Sequence, residues 1–138
     1  MSFSTLIPVR FGDVDLAGFV YYPRLFHYLH VAMEEFFAAC CGASYPKVIA
    51  DERLGFPVVS VETEFFEPLV YGDEAEITIA VSNVGDSSVT FDYSVRRASD
   101  STLCVRSTQI HVAMNLDTRR AVSLPDGYHD AFTRHKTH

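Results

Sequence analysis

The sequence predicts an α+β domain in which one antiparallel five-stranded sheet wraps around a single long central helix. Three observations predict it. Only residues 25–40 carry apolar side chains at helical spacing over several turns. One stretch before them and four after them alternate apolar and polar residues, the period of two that belongs to half-buried strands. One amphipathic helix cannot cover both faces of such a sheet, whereas one curved face can enclose the helix.

Residues 3–11 place Phe3, Ile7, Val9 and Phe11 on one side and Ser4, Pro8 and Arg10 on the other, which predicts the first strand. Pro8 marks an edge or an irregularity there. A loop rich in Gly and Asp follows, from Gly12 to Gly18. Pro23 suits the first turn of a helix, where its missing N–H costs nothing. Leu25, Leu29, Ala32, Met33, Phe36 and Cys40 then form a stripe, with Glu34 and Glu35 off it. Phe26 and Phe37 widen the apolar arc, so the helix should be largely enclosed, and Gly42 is its natural stop.

After a connector containing Pro46 and Gly55, Val59, Val61 and Phe65 alternate with Ser60, Glu62 and Glu64. Ala75, Ile77, Ile79 and Val81 form a second such set, and Val89, Phe91, Tyr93 and Val95 a third. A longer strand is expected from about Leu103 to Leu116. Turn signals at Tyr71-Gly72-Asp73, Asn83-Val84-Gly85-Asp86 and Ser99-Asp100-Ser101 separate the four strands, which are expected to run as a meander. The tail from about residue 126 is polar, with at most a short helical turn at 126–132. No repeat or linker divides the chain, so residues 1–138 read as a single domain.

Apolar residues make up 48% of the chain and aromatics 13%, enough for a packed core. The formal charge of −7 argues against nucleic-acid binding, which normally uses a basic face. It also removes any attraction to anionic lipid. No apolar stretch approaches the ~20 residues needed to span a bilayer. The N-terminal MSFSTLIPVRFGD lacks the basic start and apolar run of a secretory leader. Cys40, Cys41 and Cys104 are an odd set with no zinc spacing, which points to a reducing, cytoplasmic setting without a disulfide framework. His27 and His30 sit at i, i+3 but lack further ligands at useful spacing, so no metal is expected. Cys40 and Cys41 read as core packing, and His135 and His138 as tail residues. The sheet edges left open by this layout invite pairing between copies of the chain, hence a homo-oligomer.

The loop before the helix is where chemistry could sit. A helix start offers unpaired N–H groups and a partial positive charge, and such groups can stabilise an oxyanion in acyl transfer. A carboxylate in the adjoining loop could act as general base or nucleophile. Asp13 and Asp15 are both within reach, and Gly18 allows close backbone approach. On residue chemistry alone, capping the helix or forming the turn is the commoner use of such an Asp, ahead of catalysis.

The run Arg10-Phe11-Gly12-Asp13-Val14-Asp15-Leu16-Ala17-Gly18-Phe19-Val20-Tyr21-Tyr22-Pro23 resembles the signature of the 4-hydroxybenzoyl-CoA thioesterase family, of the form FGDxDxAGxVxYP. The similarity extends over roughly residues 5 to 125. It includes Gly55-Phe56-Pro57-Val58-Val59-Ser60 at the opening of a strand and a three-strand meander beyond it. The resemblance implies the hotdog fold and acyl-CoA thioesterase activity. It implies Asp15 as the catalytic carboxylate and the backbone N–H of Tyr22 as the group polarising the thioester carbonyl, with Gly18 beside them and Asp13 shaping the loop. His30, Phe19 and Phe56 are the expected substrate contacts. Asp15 would attack the carbonyl directly, giving an acyl-aspartyl anhydride, or activate a water; neither route needs a metal or a cofactor. Family members assemble as dimers or dimers of dimers, with the active site at the dimer interface.

The chain departs from the family pattern in three places. Tyr22 stands where many short-chain acyl-CoA relatives have His, which places the chain nearer the 4-hydroxybenzoyl type. His30 stands where that type carries an acidic residue facing the ring hydroxyl. The turn Gly85-Asp86-Ser87-Ser88 lacks the basic cluster used there on the nucleotide phosphates, so the nucleotide would be held by other groups, such as Arg96, Arg97, Arg106 or Arg119, or held weakly. Two other functions compete. A hotdog dehydratase or hydratase would need a His with an acidic partner; His27 and His30 are available, but their surrounding motif does not match. A non-catalytic acyl-CoA-binding module would be expected to lose the motif carboxylate, and Asp15 is present.

Overall fold

The computed structural model describes residues 2–137, so His138, expected in the tail, lies outside the described residues. Strand β1 (Phe3–Pro8) leads through a 3₁₀ turn (Phe11–Asp13) and a hairpin-like loop into helix α1 (Tyr22–Cys40). A short α2 (Tyr45–Ala50) and β2 (Leu54–Gly55) precede β3 (Val58–Phe65), β4 (Glu74–Val84), β5 (Ser88–Arg97) and β6 (Leu103–Val112). Two small strands, β7 (Met114–Asn115) and β8 (Arg120–Ala121), and a helix α3 (Asp126–Arg134) complete the chain.

The main sheet is antiparallel with the order β1-β4-β5-β6-β3. The five strands are those expected, but they do not form one four-strand meander. Only β4, β5 and β6 do so; β3 pairs with β6 and occupies the edge opposite β1. The segment between β3 and β4 must therefore cross to the other side of the sheet, and Phe66–Asp73 makes that crossing with Leu69 buried. The expected long last strand is also divided. It bends at Ala113, beyond which β7 pairs with β2 in a separate small sheet.

Two side-chain expectations change with the backbone. Phe11 leaves the strand in the 3₁₀ turn and is 77% exposed. Val59 is a bulge residue: the register slips between Val58 and Ser60, so Val58 faces His111 and Val61 faces Gln109. Val58 thus takes the inward position that simple alternation assigns to Val59.

The inner face of the sheet is lined by Ala75, Ile77, Ile79 and Val81 from β4 and by Val89, Phe91, Tyr93 and Val95 from β5, all buried. Against it lies α1, with Leu25, Leu29, Ala32, Met33, Phe36 and Phe37 buried as their spacing predicts. Cys40 and Cys41, only partly covered, pack against this core, and burial pushes the Cys41 thiol up to about 12. No described helix is long and apolar enough to cross a membrane.

The C-terminal segment differs most from expectation. It is not a polar tail: Tyr128, Ala131 and Phe132 recur at helical spacing on α3 and are buried. The Phe132 ring meets Phe36, Phe37, Phe56 and Phe91 at centroid distances of 5.7–6.3 Å. His135 is buried too, edge-on to Phe36 at 5.5 Å, with its Nδ1 bonded to Ala131 O. Thr137 N–H donates to Val81 O beyond the end of β1, which ties the chain end to β4.

Candidate active site

The loop before α1 closes on itself through an antiparallel bridge between Val14 and Val20. Asp15 N–H donates to Phe19 O and Gly18 N–H to Asp15 O, both at 2.9 Å. Gly18 adopts φ +87°, a left-handed conformation that a side chain would strain. The Asp15 carboxylate accepts from Ala17 N–H at 2.9 Å and from Phe19 N–H at 3.4 Å, both at Oδ1. Its Oδ2 has no hydrogen bond among the described residues. Asp15 is therefore an exposed turn carboxylate with one oxygen fixed and one free.

Asp13 does different work. Its carboxylate takes the Arg10 N–H at 2.9 Å and the Tyr28 hydroxyl, with Arg24 at 3.3 Å, while its carbonyl takes the Tyr21 N–H at 2.8 Å. Burial, and then the bond to this carboxylate, raise the Tyr28 phenol above its ordinary value, so it remains a donor. Asp13 thus knots the loop to the second turn of α1, the shaping role expected of it.

At the helix start, Arg24 and Leu25 N–H both donate to Tyr21 O, and Pro23 has no N–H to offer. The Tyr22 N–H has no acceptor among the described residues. Of the orphan amides that open any helix, α1 therefore presents one.

A cavity of about 700 Å³ opens beside this helix, between α1 and the β3–β6 side of the sheet. Its wall is largely apolar: Phe26, Met33, Phe56, Val58, Val61, Met114 and Leu116, with Tyr45 and Tyr93. His30 borders it, half exposed, 3.4 Å from Glu34 and edge-on to Tyr45. Phe56 is 3% exposed, packed on Phe37 and Tyr128, and contributes to the cavity wall. Of the substrate contacts expected from sequence, His30 and Phe56 meet here. Phe19 does not; it is 46% exposed and bridges Val70 on the crossing segment. Asp15 and Gly18 lie in the hairpin loop and Tyr22 opens α1; none of the three is part of the cavity wall of the single chain.

Sequence reasoning missed Ser107, Gln109 and His111, all buried on the inner face of β6. The signal was present: polar residues hold every second position in Ser107-Thr108-Gln109-Ile110-His111 where β4 and β5 are apolar. Burial holds the His111 pKa below the usual imidazole value, the hydrogen bond to Phe56 O opposes this, and the charge of His30 lowers it further. Of the arginines considered for phosphate, Arg97 is already engaged by Asp73, Asp100 and Pro68 O, and Arg96 reaches Ser101 O.

A sequence model described as the thioesterase-like superfamily matches residues 9–132. A 1,4-dihydroxy-2-naphthoyl-CoA hydrolase from Rippkaea orientalis is 32% identical over 119 residues, 86% of each chain. One from Synechococcus elongatus is 32% identical over 124 residues, 88% of each. Among solved structures, a 1,4-dihydroxy-2-naphthoyl-CoA thioesterase from Synechocystis superposes with a TM-score of 0.87 at 24% identity, covering 96% of both chains. A gentisyl-coenzyme A thioesterase superposes at 0.82 with 23% identity, covering 91% of this chain and 98% of that one.

Proposed function

Since the chain belongs to the thioesterase-like superfamily, we propose that it hydrolyses an aromatic acyl-CoA thioester, with Asp15 as the catalytic carboxylate and the Tyr22 N–H polarising the carbonyl. Membership makes it a thioester hydrolase with the hotdog fold. The observation that carries the proposal is that the helix start keeps one free amide and the adjoining hairpin one free carboxylate oxygen. A thioester carbonyl oxygen at the Tyr22 N–H gains a donor aimed at developing negative charge. Asp15 Oδ2 then attacks the carbonyl carbon, or takes a proton from a water that attacks it. In either case the C–S bond breaks and the CoA thiolate leaves.

The acyl group is argued from the cavity. Its volume of about 700 Å³ lies within the range of pockets that enclose drug-sized ligands, and its ring-lined wall favours flat aromatic groups. Relatives named for 1,4-dihydroxy-2-naphthoyl-CoA support the same choice. A panel of acyl-CoAs with thiol detection tests it, with benzoyl, hydroxybenzoyl, phenylacetyl and naphthoyl esters beside straight chains. The aromatic esters are expected to exceed straight chains by about tenfold in kcat/KM, a difference pocket shape alone can supply. No thiol release from any aryl-CoA would overturn the proposal.

The reading includes a homodimer. Edge strand β3 leaves Val58, Val59, Val61 and Phe65 between 44% and 62% exposed, and the cavity opens beside Val58 and Val61. A second copy at this edge would cover both and bring the loop and cavity into one site. Val61→Asp is expected to yield a monomer by light scattering with turnover largely lost. A wild-type monomer at assay concentration would refute the dimer. The three free cysteines support a reducing, cytoplasmic setting.

A further inference from the structure

A polar line runs along the inner face of β6, and its last two members line the cavity. Ser107, Gln109 and His111 follow one another at a period of two on the inner face of β6. The protein itself occupies the first of them and fixes the second. Ser107 Oγ shares a hydrogen bond with Thr63 Oγ1 at 2.8 Å and accepts another from Gln109 Nε2 at 3.2 Å.

His111 is different. It is 5% exposed, and its Nδ1 lies 2.8 Å from Phe56 O. A carbonyl oxygen only accepts, so Nδ1 carries the proton. The other nitrogen, Nε2, is buried with no polar partner among the described residues, in a residue that lines the cavity. In the neutral ring this nitrogen is purely an acceptor. Buried acceptors are rarely left unmatched in native proteins, so a donor from outside the chain is the natural complement.

We propose that His111 selects for a hydroxyl on the acyl ring, its Nε2 accepting the O–H of a hydroxyaryl-CoA bound in the cavity. This role rests on the aryl-CoA thioesterase reading above; hydroxylated rings already stand in the names of the relatives, and what is new is the residue of this chain that would recognise the hydroxyl. The surrounding wall decides which part of the substrate arrives there. Phe56, Met33, Tyr93 and Met114 would strand the amide groups of the pantetheine arm, whereas they suit an aromatic ring. A ring carboxylate or ether oxygen would set lone pair against lone pair. A hydroxyl supplies the one missing proton.

The test compares 2-naphthoyl-CoA, its monohydroxy isomers and the matching methoxy esters, in wild type and His111→Leu, by thiol release. In wild type at least one hydroxy isomer is expected to exceed the parent and its methoxy counterpart in kcat/KM by roughly tenfold, the weight of one well-placed hydrogen bond. In the leucine variant that ratio is expected to fall to about twofold or less. A wild type indifferent to the hydroxyl, or a variant that keeps the preference, overturns the role of His111 while leaving the thioesterase reading intact. No turnover of any aryl ester by wild type would instead bring down both.

Should the leucine variant fail to fold, the wild-type ring can be followed by ¹⁵N NMR with the free hydroxynaphthoic and naphthoic acids. A bare Nε2 that shifts only with the hydroxylated acids supports the assignment. A protonated Nε2, or the same response to both acids, refutes it.

Discussion

Asp15→Asn is expected to lower kcat for thioester hydrolysis by roughly a thousandfold, within the range usual for loss of a catalytic acid–base group. The fold should be unaffected. The asparagine oxygen can still accept the Ala17 and Phe19 N–H bonds that fix the turn. What changes is Oδ2, the oxygen without a partner, which becomes an amide nitrogen that can neither attack a carbonyl nor take a proton from water. Steady-state thiol release and a thermal melt on the same preparation check both halves. Turnover within tenfold of wild type would remove Asp15 from the chemistry and return it to the role of a turn former.

The largest effect on stability is expected from Phe132→Ala, a loss of about 3–5 kcal/mol, the usual cost of deleting a buried phenyl group. Phe132 is fully buried and joins α3 to α1, β5 and the Phe56 segment at once. Urea melts followed by circular dichroism measure the change. The ring also supports Phe56, whose carbonyl holds His111, so selectivity among aryl esters should loosen along with stability. A loss under about 1 kcal/mol would mean that α3 is an accessory to the core rather than part of it.

That α3 was not foreseen shows how far local pattern reaches. The segment from Pro125 to Lys136 has few apolar residues, and charge and histidine dominate its average. Its burial depends on three positions, Tyr128, Ala131 and Phe132, that only the finished sheet and α1 can cover. The place of β3 was hidden for a related reason. Alternation marks a strand but says nothing about which neighbour it pairs with, and β3 chooses β6 across the whole sheet. Helix α1 was legible almost to the residue because a long stripe of Leu, Met and Phe repeats its own signal. The loop from Asp13 to Tyr22 was legible in a different way, through the density of a familiar motif. His111 left a trace in the polar alternation of β6, but the significance of a buried nitrogen emerges only when its neighbours are known.

The knot at Asp13 has a consequence for the dynamics of the site. Backbone N–H groups from both sides of the hairpin, the Tyr28 phenol and the Arg24 guanidinium converge on one residue. The conformational entropy of ordering the loop is therefore met once, when the chain folds, and not again at each encounter with substrate. If Asp15 and Tyr22 act as proposed, this loop would need no closing motion to hold them, and its ordering cost would belong to folding rather than to each turnover.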